Sequence, residues 1–256
     1  ILAGGKGSRM GAPVPKAMVT VDGIPIIDRI FSAVKLSGVD EKPAVVIGHD
    51  LHTLKQHIGD RAEFIIQHEQ RGTGHAVMVA QEALALVKNV VVFYGDHPLY
   101  APRTIRELVE RHKQNEVAIT MTTVVLPDYD DWRAVYTHYG RILRDANGAV
   151  FAIREHKLCT DDERLVREVN NGLYCFDGPW LWKNISQLSD ENPKQEFLLT
   201  DLIALAVKHG AGVATSLCSA EEGVGVNTPE EVLIAERLAV SLMVQDVACV
   251  GTLRHA

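Results

Sequence analysis

The chain has 256 residues and a mass of 28.1 kDa, enough for one large domain or two small ones. With 46% hydrophobic and 23% charged residues it can build a full core, which excludes disorder as its main state. A net charge of −7 argues against a nucleic-acid or anionic-membrane partner, although a local basic pocket stays open.

Four cysteines (Cys159, Cys175, Cys218, Cys249) are scattered without a Cys-x-x-Cys pair, a usage that reads as reduced thiols in a cytoplasmic protein. The most apolar stretch, 238–250, is interrupted by Gln245 and Asp246 and falls short of the roughly 20 residues that span a bilayer. No secretory signal is visible. The chain begins at Ile1 in what reads as the middle of a strand, so a few residues are expected to precede it.

In chain order, residues 1–2 end a first strand and a glycine-rich loop follows. Ile26, Ile27, Ile30, Phe31 and Val34 then recur at helical spacing. The pattern predicts strands at 44–47, 64–66, 90–94 and 117–126, with helices at 51–58, 75–87 and 102–113. Continuous apolar strands alternating with helices imply a mostly parallel sheet covered on both faces. Its ligand site should lie beyond the carboxyl ends of the strands. After residue 127 the rhythm changes. Strands at 141–144 and 149–153 flank Asp145-Ala146-Asn147-Gly148, a hairpin signal. A strand at 173–176, a helix at 195–208, a strand near 213–217 and a helix at 229–240 complete the pass. No linker rich in Gly, Pro or Ser separates the halves, so one domain with two lobes is expected: a first lobe over about 1–126, a second over about 127–227, and a helical segment over 228–256.

The loop Ala3-Gly4-Gly5-Lys6-Gly7-Ser8-Arg9-Met10, followed by Pro15-Lys16, carries the first chemical signal. Glycines let backbone N–H groups approach phosphate oxygens closely. The dinucleotide fingerprint fails, because Met10 stands where its third glycine belongs; the Walker A loop fails, because Gly7 follows Lys6. What remains is a glycine loop with three cations (Lys6, Arg9, Lys16) in an acidic protein. That suits a triphosphate or pyrophosphate cradle, or else a tight turn with solvated charges.

Leu2-Ala3-x-Gly5-x-Gly7-x-Arg9-Met10 with Pro15-Lys16 resembles the signature of sugar-1-phosphate nucleotidylyltransferases. Further segments narrow the resemblance: Gln67-x-x-Gln70-x-Gly72-Thr73-Gly74-His75-Ala76, Tyr94-Gly95-Asp96-x-Pro98-Leu99, Tyr139-Gly140-Arg141-Ile142 and Gly225-Val226-Asn227. With Glu155-His156-Lys157, Glu168-Val169-Asn170-x-Gly172 and Leu199-Thr200-Asp201, the chain is similar over about residues 1–235 to the uridylyltransferase domain of bacterial N-acetylglucosamine-1-phosphate uridylyltransferases. The resemblance implies an α/β fold, a Rossmann-like nucleotidyltransferase three-layer sandwich with a mixed, mostly parallel sheet and a smaller sugar-binding lobe. Two departures stand out. No hexapeptide pattern follows Asn227, so the acetyltransferase activity that accompanies this domain in the family is not expected here. Asn171 stands where the family usually has Thr, inside the sugar-pocket motif, a change that keeps polarity but bears on sugar choice.

The reaction implied is attack by a sugar-1-phosphate oxygen on the α-phosphorus of UTP, with N-acetylglucosamine-1-phosphate as the second substrate. Such transfer needs positioning and charge neutralisation more than a protein nucleophile. By resemblance, the backbone of Leu2, Ala3, Gly4 and Gly5 lies against the nucleotide, while Arg9 and Lys16 neutralise its phosphates. Gln67, Gly72 and Thr73 meet the uracil, and Tyr94, Gly95 and Asp96 complete the nucleotide site. Gly140, Glu155 and Asn170 meet the sugar, and Asp96 with Asn227 holds Mg2+.

The residue types suit these roles. A Gln amide both donates and accepts, though a Gln at a strand end is often only a polar terminus. A carboxylate beside phosphates is an ordinary Mg2+ ligand. Capping does not compete for Asp96, since Pro102 at a first helical position puts that cap at Ala101. Asn227 could equally cap the last helix. His49, His52, His75 and His97 read as structural or rim residues, with no zinc-ligand spacing among them. Another sugar-1-phosphate or another nucleoside triphosphate is the alternative within the class, and two other classes remain in view. A catalytically silent nucleotide-binding subunit would be expected to have lost one of Arg9, Lys16, Asp96 or Asn227, and a Rossmann dehydrogenase is disfavoured by the missing glycine.

Overall fold

A computed structural model describes residues 1–5, 7, 10, 14–48 and 52–252, with side chains to residue 242. Lys6, Arg9 and His49 therefore lie outside the described residues.

Two short strands, β1 (Thr20–Val21) and β2 (Ile24–Pro25), lead into α1 (Ile26–Ser37). The apolar stripe of α1 buries Ile26, Ile27, Ile30, Phe31 and Val34, and Gly38 at φ 73° ends the helix in the left-handed region. Next come β3 (Ala44–Gly48), α2 (His52–Ile58) and β4 (Glu63–Gln67), with β3 and β4 parallel. The helix expected over 75–87 is broken into α3 (Thr73–Met78) and α4 (Gln81–Leu84), because Ala80 N–H turns back early, to Val77 O. β5 (Asn89–Phe93), α5 (Pro102–Asn115) and β6 (Ile119–Val125) match expectation closely, including Pro102 in the first turn of α5 after Ala101.

In the second half, β7 (Arg141–Arg144) and β8 (Val150–Arg154) form the expected hairpin. After the one-turn α6 (Asp161–Arg164), β9 runs over Glu168–Asp177, ten residues instead of the four expected. α7 (Gly178–Asn184), α8 (Asp201–Lys208), β10 (Val213–Leu217) and α9 (Pro229–Thr252) follow.

β9 organises the molecule. Its carboxyl half lies between β5 and β6 and is antiparallel to both. Its amino half keeps β6 but takes β7 as its other neighbour, through Arg141 and Val169. The change of partner falls at Gly172, whose φ of 83° only glycine adopts without strain and whose missing side chain leaves room for the Tyr94 ring. On the far side, Leu2 makes parallel bridges to both Val46 and Tyr94, so residues 1–3 act as a strand between β3 and β5. The resulting order is β4, β3, residues 1–3, β5, β9, β6, β10. All run the same way except β9.

Strand alternation then builds two cores, one on each face. Phe93, Leu173 and Cys175 join α1 and α5 residues such as Ile30, Ile105 and Leu108 on one side. Val90, Val92, Tyr174 and Phe176 join Leu181, Leu202 and Ile203 on the other. This gives three layers. Each such side chain contributes roughly 1.5–3 kcal/mol on burial. Cys159, Cys175 and Cys218 are free thiols and buried. Among the described residues, no helix is long and apolar enough to cross a membrane.

Candidate functional site

The chain leaves residues 1–3 for β3 and β4 on one side and for β5 and β6 on the other, so the strand order reverses there. That is where an open α/β sheet gathers its loops into a crevice. A cavity of about 140 Å³ lies at this point, lined by Leu2, Ala3, Gly5, Lys16, Thr73, Tyr94, Gly95 and Asp96 among others. Eight of the residues expected to meet substrate thus share one wall.

Backbone geometry explains the glycines. Gly95 N–H donates to Leu2 O at 2.9 Å, and a Cβ on Gly95 would come within 2.6 Å of that oxygen. Gly7, at φ 68°, crosses so near Lys16 that a Cβ would sit 3.2 Å from its amide nitrogen. Gly5 and Gly7 therefore lie against Lys16, whose side chain lines the cavity.

There Lys16 Nζ donates to Asp96 Oδ2 at 2.5 Å and to Asn227 Oδ1 at 2.7 Å. These three residues are 80 and 211 positions apart in sequence. Val226 N–H donates to Asp96 O, which sets Asn227 opposite Asp96. Thr228, not Asn227, serves the start of α9: Glu231 N–H donates to Thr228 Oγ1, and Glu231 Oε2 accepts from the Asn227 and Thr228 amides. The Asn227 side chain is thereby left to the site. Burial would raise the Asp96 pKa, but Lys16 and His97 more than offset it and hold the carboxyl well below the usual range. The ammonium stands where a cation bridges one carboxylate and one amide oxygen. These are hard oxygen ligands of the kind Mg2+ takes, with its other positions going to substrate oxygens and water.

His97 was expected to be structural or a rim residue. It is buried, stacks on Tyr100 at 5.6 Å and donates from Nδ1 to Asp96 Oδ1 at 2.7 Å. It orients the carboxylate from behind, and its only sequence signal was adjacency to Asp96.

A second group of residues lies around Gln67, which is buried at the end of β4. Its Nε2 donates to Gly72 O at 3.3 Å and lies 3.0 Å from His75 Nδ1. Gln70 Nε2 donates to Gly4 O. The loop is clamped from the far lobe: Phe197 N–H donates to Arg71 O, Gly74 N–H to Phe197 O, and Leu199 N–H to Thr73 Oγ1. This clamp keeps Phe197 and Leu199 outside the helix, so α8 begins at Asp201 instead of the expected 195.

The third group adjoins Tyr94, whose phenol is pushed up to about 12 by burial. Asn170 Oδ1 accepts from Tyr174 Oη at 2.8 Å and from Gly172 N–H at 3.3 Å, which leaves Asn170 Nδ2 as the outward end of that amide. Gly140 O accepts from Asn170 N–H at 2.9 Å, and a Cβ on Gly140 would strike Ile153 at 2.8 Å. Burial raises the Glu155 pKa, Lys194 opposes that shift, and Asp201 and Glu196 add to it. Lys16, Thr73 and Tyr94 line the same cavity, and Gly172 packs on the Tyr94 ring, which sets the Asn170 group beside it.

Asn171 does not belong to this surface. Strand alternation turns it to the opposite face, where Thr122 Oγ1 donates to its Oδ1 at 2.5 Å and its Nδ2 is buried without a partner. Asn171→Thr is expected to raise the unfolding free energy by about 1 kcal/mol, because it removes an orphaned donor. It should leave substrate preference unchanged. Denaturant unfolding of the variant checks this, and a lowered midpoint would show that the amide nitrogen is satisfied.

Residues 1–166 match the MobA-like NTP transferase domain family. The chain is 38% identical over 238 residues to Bifunctional protein GlmU of Clostridium botulinum (strain 657 / Type Ba4), covering 92% of this chain and 50% of that protein. It is 38% identical over 230 residues to Bifunctional protein GlmU of Bacillus subtilis (strain 168), covering 89% and 48%. A third, from Acetivibrio thermocellus, is 35% identical over 240 residues, covering 93% and 50%. The chain spans about half the length of the curated relatives it matches. With a three-layer α/β fold whose switch-point cavity is lined by a glycine loop and a lysine, it belongs to the MobA-like NTP transferase domain family and is a nucleotidyltransferase.

Proposed function

We propose that the protein transfers a uridylyl group from UTP to N-acetylglucosamine-1-phosphate, releasing pyrophosphate and forming UDP-N-acetylglucosamine. The observation that carries this reading is the convergence of Lys16, Asp96 and Asn227 at the switch-point cavity. An oxygen of the sugar phosphate bonds to the α-phosphorus as the bond to the β-phosphate breaks, and pyrophosphate leaves with that electron pair. The attacking oxygen is already anionic, so no general base is required. Lys16, with Arg9 by resemblance, neutralises phosphate charge as it develops. Leu2, Ala3, Gly4 and Gly5 give a backbone wall to the nucleotide, and Gln67, Gly72 and Thr73 face the base. Tyr94 and Gly95 close the floor between nucleotide and sugar.

Nucleotidyltransferases of this family generally use a divalent metal. In this reading Mg2+ is held by Asp96 and Asn227, and it supplies charge neutralisation at the phosphates. The nucleotide lobe extends over about 1–126 and the sugar lobe over about 127–227.

Sugar choice rests on Gly140, Glu155 and Asn170. Both acceptor positions of Asn170 Oδ1 are taken, so its free Nδ2 is a donor suited to the acetamido carbonyl. A site that hydrogen-bonds a substrate group discriminates against the analogue lacking it. Glucose-1-phosphate should therefore be used roughly 10- to 100-fold less well in kcat/KM, and Asn170→Ala should narrow that gap. Pyrophosphate release from UTP, Mg2+ and a panel of sugar-1-phosphates tests the reading. Equal use of both sugars would overturn the sugar assignment, and no release with any sugar would overturn the reaction.

A further inference from the structure

We propose that His75 is a positioning residue for nucleotide choice: its ring nitrogen fixes the Gln67 amide so that only an acceptor, Oε1, is offered to the base. The inference rests on the uridylyl reading above and deepens it.

The argument starts from which atoms can donate. Gly72 O can only accept, so the Gln67 atom 3.3 Å away must be the amide nitrogen. The same nitrogen lies 3.0 Å from His75 Nδ1, which must then be the unprotonated, accepting nitrogen of a neutral ring carrying its proton on Nε2. Both N–H groups of Gln67 are thus spent inside the protein. Oε1 is left facing Gly4, where the absence of a side chain leaves space; a Cβ there would sit 3.3 Å from Oε1. Gly4 lies between Ala3 and Gly5, which line the cavity.

The His75 ring is itself held. It stacks on Phe197 at 6.3 Å, and the Arg71 guanidinium covers Phe197 at 4.7 Å. The backbone bonds of Phe197 to Arg71 and Gly74 fix that aromatic pair against the loop. The ring therefore cannot swing away and let the amide turn over without disturbing the clamp.

An oxygen at this position distinguishes two pyrimidines. Uracil carries a hydrogen on N3 and donates to Oε1. Cytosine carries a lone pair on N3 and meets Oε1 with repulsion and no bond. Without the His75 acceptor, the amide can present its nitrogen to the base instead, and the preference weakens.

The test compares UTP with CTP in the unmodified protein, His75→Phe and His75→Asn, by kcat/KM with N-acetylglucosamine-1-phosphate and by binding of each nucleotide without sugar. His75→Phe keeps a ring on Phe197 but removes the acceptor, and the UTP-to-CTP ratio should fall about 10-fold, the scale of one lost hydrogen bond. His75→Asn returns an acceptor near the Nδ1 position and should restore most of the ratio. An unchanged ratio in His75→Phe, with both nucleotides weakened equally, would overturn the proposal and leave uridylyl transfer standing. If the unmodified protein does not prefer UTP, the uridylyl reading fails first and this proposal with it. A second measurement needs no variant: nitrogen-15 NMR of the folded protein should show His75 protonated on Nε2, and a proton on Nδ1 would overturn the lock.

Discussion

Replacing Lys16 with alanine should lower kcat/KM by about 100-fold or more while the protein remains folded. The lysine is half-buried, and its aliphatic part contributes little to either core. Its ammonium, by contrast, is the cation nearest the Asp96–Asn227 oxygen pair in the described site. The loss should fall on kcat more than on KM, since charge on the departing pyrophosphate grows toward the transition state. Lys16→Arg should recover only part, because a planar fork does not replace a compact ammonium as a point contact to a phosphate oxygen. Steady-state pyrophosphate release, with circular dichroism to confirm the fold, measures this. Near-normal turnover in a folded Lys16→Ala protein would remove the residue from the mechanism.

The largest stability effect is expected at Arg141. It is among the largest fully buried side chains, at 1% exposure, and the described residues give it no carboxylate partner. Its guanidinium donates to Tyr139 O at 2.5 Å, Thr137 O at 3.0 Å and Tyr136 O at 3.4 Å, and lies 4.9 Å from the Tyr129 ring centroid. The charge is met by carbonyl dipoles and an aromatic face. Arg141→Met fills much of the volume but strands those carbonyls away from water. It should cost about 3–5 kcal/mol, as removal of one side of a buried polar network does. Because the carbonyls belong to the turn before Gly140, surviving folded protein should also show a raised KM for the sugar phosphate. Urea unfolding with an unchanged slope checks the stability term, and a midpoint within error of the unmodified protein would refute it.

Much of the fold was legible because both faces of the sheet are buried. The runs Val45–Ile47 and Val90–Phe93 read as strands from apolar continuity alone, and the Asn147-Gly148 hairpin from its turn residues. β9 was only half visible. Leu173–Phe176 is an apolar run, but Glu168-Val169-Asn170-Asn171-Gly172 is polar and is a strand because it pairs with β6 and β7. No local pattern could show that it inserts antiparallel between strands that otherwise agree in direction. The end of the 195–208 helix was placed well and its start was not, since contacts with the distant Arg71–Gly74 segment keep Phe197 and Leu199 outside it. At the site, Lys16, Asp96 and Asn227 could be named from motifs. Their meeting at one nitrogen depends on three loops closing over the sheet, which spacing along the chain does not encode. His75 and His97 read only as structural or rim residues, because the partners of their ring nitrogens are set by ring orientation, which spacing does not show.

The central position of β9 has a mechanical consequence. β9 carries Asn170 in its amino half and, through its carboxyl half, holds β5, whose end delivers Tyr94 and Asp96. Movement of Asn170 against Asp96 would have to shear backbone hydrogen bonds at the centre of the sheet, so β9 puts no hinge between them. Any adjustment around a ligand would then fall to segments outside the strands, such as 189–199. The spacing between Asn170 and Asp96 is then a property of folding itself, set by the sheet and not by a loop.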